Sequence, residues 1–310
     1  MKRIFFYALT VLVLGGLAGC RQNNQTTDEP QPAVQPTPSH IDLYTQFASQ
    51  FVPSRTIRVW VPANYDSTAR YDVLYMHDGR MLFDASITWN HQEWGVDEAM
   101  DTLTAKGLIR PTIVVGIDNI DNAMGRVAEY CPDDVAQLLP AGKQLYDGLG
   151  TPKGNDYLRF VVEELKPFID SVYATHTDRA HTWTMGSSCG GLISSYAVCK
   201  YPNVFGGAAC LSTHSTLAAD VSHPDPDAIA AYRTYLQQHI PANSCRLYFD
   251  RGDQTLDANY AESQEAINQM LKDAGWDDAH FLYRFFPGAA HDEASWRARL
   301  DIPLRFLLAE

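Results

Sequence analysis

The sequence predicts an α/β fold in which a mostly parallel sheet is covered by helices on both faces. Short apolar runs alternate along the chain with stretches of helical periodicity, an order typical of strands joined by crossover helices. Ile113 to Ile117 is a continuous apolar run, as expected for a parallel strand that is buried on both faces. Neither an internal repeat nor a second linker interrupts this alternation, so a single globular domain is predicted.

Residues 1–19 are predicted to be an export signal. Met1-Lys2-Arg3 is a basic start, and Ile4 to Leu17 is an apolar run that is too short to span a membrane comfortably. Leu17-Ala18-Gly19-Cys20 follows and resembles the bacterial lipobox, in which the signal is cut before the cysteine and the thiol is lipidated. The alternative is an ordinary signal peptide with a chance cysteine. We predict that acyl chains on Cys20 tether a soluble body to a membrane.

Residues 20–40 are predicted to be the lipidated cysteine and a flexible tether. From Arg21 to His40 the chain is rich in Gln, Asn, Thr and Pro, and it lacks the apolar residues that would offset the entropy of ordering. Pro30-Gln31-Pro32 and Pro36-Thr37-Pro38 favour extended conformations. The globular domain is therefore predicted to cover residues 41–310.

The apolar pattern assigns strands and helices within this domain, and the first strands are expected to form an antiparallel edge. The predicted strands are Thr56 to Val61, Val73 to Met76, Ile113 to Ile117, Thr182 to Met185, Ala208 to Leu211, Arg246 to Phe249 and Phe281 to Phe285. The predicted helices are Tyr157 to Tyr173, Leu192 to Cys199, Ala261 to Ala274 and Glu293 to Leu308.

The charge balance and the cysteines argue against several classes of function. The formal net charge is −13 and no basic cluster lies outside the export signal, which argues against binding to nucleic acid. The cysteines beyond Cys20 form no Cys-x-x-Cys pair and show no metal-ligand spacing. Their odd number implies a free thiol, and export would permit a disulfide without selecting its partners. Neither a metal nor an organic cofactor is expected.

Gly186-Ser187-Ser188-Cys189-Gly190 is the motif that carries the chemistry. The Gly-x-Ser-x-Gly string is common, but here a predicted strand precedes it and a predicted helix follows it, as the nucleophile elbow of an α/β-hydrolase requires. Glycines are expected on both sides because a Cβ atom there would clash in the strained turn. Ser188 is the predicted nucleophile because Ser187 and Cys189 are not central in the motif. Cys189 is expected to offer its backbone N–H to the oxyanion hole.

A serine nucleophile needs a base, and α/β-hydrolases present their triad in the chain order Ser, acid, His. His291 is the predicted base because it follows the last predicted strand, in a loop that would carry it over Ser188. His280 precedes that strand, and His214 is predicted to be a pocket residue.

The acid should follow the strand from Arg246 to Phe249, where three aspartates compete. Asp250 lies too close to the end of the strand to reach the histidine. The pattern alone leaves Asp253 and Asp257 as alternatives.

From about Phe51 to Leu308 the chain resembles the Putative esterase family, which includes esterase D, feruloyl and acetyl-xylan esterases, siderophore-ester hydrolases and mycolyltransferases. Gln is frequent in that family at the position of Arg80, and Met is usual at the position of Cys189. The matching motifs are Val73-Leu74-Tyr75-Met76-His77-Asp78-Gly79-Arg80-Met81-Leu82-Phe83-Asp84, Trp94-Gly95-Val96-Asp97, Arg126-Val127-Ala128-Glu129-Tyr130, Phe160 to Tyr173 and Gly186 to Leu192.

The resemblance implies an α/β-hydrolase fold and assigns further roles. It places the second oxyanion N–H at Arg80, and it prefers Asp257 as the acid because Gly252 to Ala258 looks like the family segment whose last aspartate is catalytic. Gly288 to Glu293 is similar to the loop of the catalytic histidine. Five residues fall in segments that line the family's pocket: Trp89, Arg126, Glu129, Tyr130 and His214. The structural alternatives are that Trp89 belongs to the core and that Arg126 and Glu129 form an ion pair.

Together these observations predict a serine carboxylic-ester hydrolase that acts on extracellular esters, with acetyl or feruloyl esters on carbohydrate preferred. The alternatives are a siderophore-ester hydrolase, an acyltransferase or serine peptidase, and a non-catalytic binding lipoprotein. The expected partners are a small-molecule or oligosaccharide ester and, through Cys20, a membrane. The expected location is the cell envelope, on the periplasmic or the surface face of the outer membrane.

Overall fold

The computed structural model describes residues 36–146, 150–241 and 244–309. The predicted export signal, Cys20 and most of the predicted tether lie outside these residues. Pro36–Glu310 forms one compact unit. Among the described residues, no helix combines the length and the hydrophobicity that crossing a bilayer requires.

A single sheet forms the centre of this unit. Its strands are β1 His40–Phe47, β2 Arg55–Val61, β3 Asp72–His77, β4 Thr112–Ile117, β5 Thr182–Ser187, β6 Gly207–Leu211, β7 Arg246–Arg251 and β8 Phe281–Phe285. Their order across the sheet is β1-β2-β4-β3-β5-β6-β7-β8. β2 pairs antiparallel with β1 and β4, and all other pairs are parallel. The predicted α/β-hydrolase fold with an antiparallel edge is confirmed.

β1 begins at His40, one residue before the predicted start of the domain and inside the stretch predicted to be tether. Most of its residues are exposed or half-buried, as befits an edge strand. β1 is antiparallel to β2, and β2 is antiparallel to β4, so β1 runs in the same direction as the parallel strands. His40 therefore lies at the edge of the sheet opposite the carboxyl ends of β3 to β8.

Helices cover both faces of the sheet. They are α1 Val96–Ala105, α2 Ala123–Tyr130, α3 Asp133–Ala136, α4 Gly154–Arg159, α5 Lys166–Val172, α6 Cys189–Lys200, α7 Pro226–His239, α8 Ala261–Asp273, α9 Glu293–Arg297 and α10 Asp301–Leu308. Side chains of α1, α9 and α10 pack with Leu74 and Met76 on one face. Side chains of α2 to α8 pack with Val73 and Tyr75 on the other face, so alternate residues of β3 serve two cores.

Two predicted helices differ from the observed ones. The helix predicted from Tyr157 to Tyr173 runs through α4 and α5, but the segment between them, Phe160–Leu165, is π-helical. The helix predicted from Glu293 to Leu308 is divided into α9 and α10. α1 and α7 were not predicted, although Asp225 before Pro226 is an N-cap signal, and its side chain accepts from the Asp227 N–H.

The cysteines of the described residues are all free and buried: Cys131, Cys189, Cys199, Cys210 and Cys245. No disulfide joins them, so the stability of this part of the chain comes from its two apolar cores and its hydrogen bonds.

Candidate active site

Ser188 lies in a sharp turn between β5 and α6. Its backbone angles, φ 56° and ψ −124°, lie in a region that costs free energy for a residue with a Cβ atom. The turn is held by its neighbours: the Ser188 N–H donates to the Leu211 carbonyl at 2.9 Å, and the His214 N–H donates to the Ser188 carbonyl at 3.1 Å. The backbone of Ser188 is therefore fixed by the segment that follows β6.

The glycines that flank Ser188 differ in their packing. A Cβ atom on Gly186 would lie 2.7 Å from the backbone of Gly190, so the predicted clash is confirmed there. A Cβ atom on Gly190 would lie 3.4 Å from Asp78 and His77, an ordinary contact. The predicted clash at Gly190 is wrong, because helix α6 approaches β5 most closely at Gly186.

His291 and Asp257 form a buried pair at the same edge of the sheet. His291 Nδ1 lies 2.6 Å from Asp257 Oδ1, with side-chain exposures of 9% and 0%. Tyr260 and Trp296 contact the imidazole edge-on, with ring centroids 5.6 and 5.1 Å away. The backbone N–H of His291 donates to Thr255 Oγ1 at 2.8 Å and fixes the loop that carries the histidine. The ring of His291 is thus held on several sides.

Ser212 and the backbone of Gly252 hold the second oxygen of Asp257. Ser212 Oγ donates to Asp257 Oδ2 at 2.6 Å, and the Gly252 N–H donates to the same oxygen. Burial opposes the ionisation of Asp257, but the hydrogen bonds and charge of His291, with the Ser212 hydrogen bond, outweigh burial and lower its pKa. Asp257 is therefore held as a carboxylate.

Ser212 is in turn held by two donors from the carboxyl-terminal helical segment. Trp296 Nε1 and Arg299 Nη2 each donate to Ser212 Oγ at 3.0 Å. Arg299 also forms a buried ion pair with Asp250, at 2.9 Å. The chain of contacts runs from Asp250 through Arg299 and Ser212 to Asp257 and His291.

The Ser188 side chain lies beside Tyr260 rather than in a hydrogen bond with His291. Ser188 is 8% exposed, and it is one of the groups near enough to the Tyr260 hydroxyl to influence the pKa of that tyrosine. No hydrogen bond joins Ser188 Oγ to the His291 ring among the described residues. Such contacts are often loose in free enzymes and tighten when substrate binds.

Two backbone N–H groups are available for an oxyanion. Cys189 is the first residue of α6, so its N–H has no acceptor within the helix and lies at the positive end of the helix dipole. Arg80 is the second residue of the turn Gly79–Met81, which follows β3 at the same edge. Gly79 is required there, since a Cβ atom would lie 2.7 Å from the backbone of Gly116.

Arg126 and Tyr130 brace the turn that carries Arg80. Asp78 precedes this turn with a left-handed φ of 58°, and Arg126 donates to both of its carboxylate oxygens at 2.6 and 2.7 Å. The Asp78 N–H donates to the Tyr130 hydroxyl at 3.2 Å. The structure places both predicted pocket residues behind the turn that carries Arg80, with Arg126 partly exposed and Tyr130 buried.

Glu129 and Trp89 have contrasting positions. Glu129 is 2% exposed, and its carboxylate accepts from both terminal nitrogens of Arg55. Glu129 therefore forms a buried ion pair with Arg55. The alternative in which Glu129 pairs with Arg126 is wrong. Trp89 is 82% exposed, so it does not belong to the core. The next residue, Asn90, donates to Glu293 Oε2 at 2.7 Å and ties the Trp89 loop to the start of α9, close to His291.

Cys189 and His214 both lie next to the turn at Ser188, Cys189 as the following residue and His214 through its backbone N–H. The Cys189 thiol is buried and lies 3.6 Å from the hydroxyl of Tyr146. Burial raises its pKa, but His214, Arg126 and Tyr146 outweigh burial and lower the pKa of Cys189 to about 6. The His214 ring lies between Tyr146 and Tyr260, at 5.2 and 5.5 Å.

Several residues of this site were not predicted from the sequence. Among them, Tyr146, Ser212, Tyr260, Trp296 and Arg299 carry no motif. The position of Ser212 directly after β6, at the carboxyl edge of the sheet, is the one signal that could have identified it.

Comparison with known proteins shows that the chain is similar to a family of esterases. The sequence profile of the family described as "Putative esterase" matches residues 49–307. The chain is 24% identical over 264 residues to an endo-1,4-beta-xylanase/feruloyl esterase of Xylanibacter ruminicola, a match that covers 80% of this chain and 28% of that enzyme.

Solved structures with the same fold include two esterases. One is a ferulic acid esterase, with a TM-score of 0.64 and 20% identity over 88% of this chain and 98% of that one. Another is the enterobactin esterase FES from Shigella flexneri, with a TM-score of 0.61 and 19% identity over 87% of this chain and 59% of that one. The chain spans less than two thirds of the xylanase/feruloyl esterase and of the enterobactin esterase.

Proposed function

Since the chain belongs to the "Putative esterase" family and is a carboxylic ester hydrolase, we propose that it acts through a triad of Ser188, His291 and Asp257. The observation that carries the proposal is the buried hydrogen bond of 2.6 Å between His291 and Asp257, beside the strained turn at Ser188. Asp257 fixes the tautomer in which His291 presents Nε2 to the serine, and it stabilises the imidazolium that forms.

The proposed reaction is a two-step acyl transfer. Ser188 Oγ attacks the ester carbonyl while His291 takes its proton, and the N–H groups of Cys189 and Arg80 stabilise the oxyanion. One such donor contributes about 3 kcal/mol in related enzymes. His291 then protonates the departing alcohol. Water, activated by the same histidine, hydrolyses the acyl-enzyme and regenerates Ser188.

The test is the Ser188→Ala variant, assayed with a p-nitrophenyl ester and a fluorophosphonate probe. We expect a loss of turnover and of labelling, because this variant lacks the hydroxyl that the proposed mechanism uses. Ser187→Ala is the matched control and is expected to keep both. Turnover by Ser188→Ala would exclude the proposed nucleophile, and an unlabelled wild-type protein would favour a non-catalytic binding role.

For the substrate, we propose extracellular acyl esters on carbohydrate, with acetyl or feruloyl groups. Similarity to a ferulic acid esterase and to a xylanase/feruloyl esterase supports this choice. The exposed Trp89 beside the histidine loop offers a flat surface on which a sugar or an aromatic ring can stack. A panel of acetylated oligosaccharides, feruloylated oligosaccharides and siderophore lactones tests it, and preferential lactone cleavage would contradict it.

A siderophore-ester hydrolase is the second candidate, because the fold is also that of an enterobactin esterase. Acyl transfer to an alcohol in place of water is a further alternative, and added acceptor alcohols would reveal it as a new ester product.

We also propose that the protein is anchored in the cell envelope through a lipid on Cys20. The sequence Leu17-Ala18-Gly19-Cys20 after the apolar run supports this proposal. Replacement of Cys20 by Ser should move the protein from the membrane fraction to the soluble fraction, and an unchanged membrane fraction would contradict the anchor.

A further inference from the structure

A second cluster of chemically active side chains lies at the edge of the sheet opposite Ser188. Asp72 begins β3, His181 directly precedes β5, and His176 lies in the connection between α5 and β5. One ligand atom of each lies within 4.8 Å of the ligand atoms of the other two. We propose that Asp72, His176 and His181 together bind one divalent transition-metal ion, with Zn²⁺ as the best match.

Asp72 presents one free carboxylate oxygen. The residue is 2% exposed, and its Oδ2 accepts from Arg110 Nε at 2.9 Å and from Trp183 Nε1 at 3.1 Å. Oδ1 has no hydrogen-bond partner among the described residues. A buried carboxylate whose orientation is fixed through one oxygen and whose other oxygen lacks a partner is suited to monodentate metal binding.

His181 has the orientation that metal-binding histidines have. Its Nδ1 lies 2.9 and 3.0 Å from the two oxygens of Asp178, which leaves Nε2 to bind a metal. Histidine ligands generally donate their second ring N–H to a carboxylate in this way, which fixes the tautomer and raises the basicity of the other nitrogen. Asp178 is itself fixed, because it accepts from the Ala180 N–H at 2.9 Å.

His176 completes the set. The backbone N–H of His176 donates to the Tyr71 carbonyl at 2.9 Å, which ties His176 to the residue before Asp72. Its ring lies 4.0 Å from the ring of His181, with an interplanar angle of 23°, and neither of its nitrogens has a hydrogen-bond partner among the described residues. Two half-buried imidazoles are thus stacked beside a buried carboxylate without any hydrogen bond between the three side chains.

Two imidazoles and one carboxylate, with water in the fourth position, are a set of ligands that Zn²⁺ takes in proteins. Bonds of about 2.1 Å in a tetrahedral site bring ligand atoms to roughly 3.4 Å from one another. Binding therefore requires the side chains to close by about an ångström, which rotation of the half-exposed His176 can supply. Arg110 shares the charge of Asp72, so we expect weaker binding than at a site with an unpaired carboxylate.

The location implies a structural role. Val73, next to Asp72, pairs with Thr182, next to His181, so the metal would join the amino ends of two neighbouring central strands. β3 leads to the turn with Arg80, and β5 leads to Ser188, at the opposite edge. Strands of this length hold the two edges about 20 Å apart. The inference is therefore independent of the proposed triad.

The test uses the full-length protein after treatment with EDTA, titrated with ZnCl₂ and, separately, CoCl₂. We expect one Zn²⁺ per chain by calorimetry, and a rise in Tm of roughly 5 °C when free Zn²⁺ is about 100 times its Kd. Co²⁺ should give the visible absorption bands of a tetrahedral complex. Hydrolysis of a p-nitrophenyl ester should not change, because the site is remote from Ser188.

Variants assign the site. His176→Ala and His181→Gln should each lose the calorimetric signal and the Tm rise. His280→Ala is the matched control, because His280 forms the same i,i+3 pair with Asp277, at 2.6 Å, but belongs to no such cluster among the described residues. The Tm of each metal-free variant shows whether it folds. Absence of Zn²⁺ binding by the wild type, or the same binding in folded His176→Ala and His181→Gln, would overturn the proposal.

Discussion

Both carboxylate oxygens of Asp257 are engaged, one by His291 and the other by Ser212 and the Gly252 N–H. A carboxylate held at both ends cannot rotate, and it fixes the histidine opposite it. Asp253, four residues earlier, has a different task. It accepts from the Gly288 N–H and from Gln254, both at 2.8 Å, and braces the loop that leads to His291.

These contacts predict different effects for two otherwise similar substitutions. Asp257→Asn should lower kcat on the order of 10⁴-fold, because the amide no longer holds the required tautomer of His291. Asp253→Asn should lower kcat only a few-fold, since it weakens a loop contact. Steady-state kinetics of both variants provide the measurement, and a larger loss for Asp253→Asn would reverse the assignment of the acid.

Ser212 acts through Asp257 and is a positioning residue. Loss of its hydroxyl removes a hydrogen bond to a charged group, worth about 1.5–3 kcal/mol. Ser212→Ala should therefore lower kcat about 10- to 100-fold and leave KM nearly unchanged.

Ser212→Gly separates this role from a structural one. Ser212 has a left-handed φ of 42°, which glycine adopts without strain, so this variant is expected to keep its fold. An unchanged kcat in both variants would show that Ser212 does not act through Asp257.

The pattern of the sequence predicts Ser188 and His291 as site residues because each follows a strand that the pattern also predicts and the structure contains. It could not choose between Asp253 and Asp257, since both follow the same strand. Ser212, Arg299 and Tyr260 were missed for a physical reason. Their hydrogen bonds join residues far apart in the chain, 45 positions for Ser212 to Asp257 and 87 for Arg299 to Ser212.

At the scale of single elements, the elbow depends on the close approach of β5 and α6. Gly186→Ala should abolish fluorophosphonate labelling, because its Cβ would lie 2.7 Å from backbone atoms that cannot move cheaply. Gly190→Ala should still be labelled, since its Cβ meets only ordinary contacts and alanine favours a helix. Labelling followed by intact mass measures both. Equal loss in the two variants would mean that crowding at Gly186 does not set the turn.

The elements that were predicted well are buried on both faces, such as β3 and β4. Their continuous apolar runs are typical of a buried strand. β1 was missed because an edge strand alternates polar residues and here follows a polar stretch. The break between α9 and α10 was missed because the apolar period continues across it. The apolar pattern of the sequence predicts which residues face the core. It does not predict where the backbone changes direction between two helices.

At the scale of the whole molecule, the free energy of unfolding is expected to depend on pH because His77 is buried in the sheet. This residue ends β3 and is 2% exposed, and burial lowers its pKa to about 4. Its ring contacts Tyr157 at 2.7 Å and Thr184 at 3.2 Å, so it is satisfied without a proton on both nitrogens. In the unfolded chain the same histidine takes up a proton near pH 6.5.

The sign of the effect follows from these two pKa values. As the pH falls below 6.5 the unfolded state gains a proton that folded His77 does not bind until about pH 4, so unfolding becomes easier. Between pH 7 and pH 5 this residue should lower the free energy of unfolding by about 2 kcal/mol. Urea unfolding of wild type and His77→Gln at both pH values tests this, because the variant should lose that part of the dependence. Identical pH dependence would contradict it.

The direction of β1 has a practical consequence. The chain enters the folded body at His40, on the edge of the sheet opposite the carboxyl ends that carry Ser188 and His291. A purification tag, a fusion partner or a solid support joined directly to Pro36 is therefore attached on the side remote from Ser188. Immobilisation through this end of the folded body is the orientation that leaves Ser188 accessible to a bulky substrate.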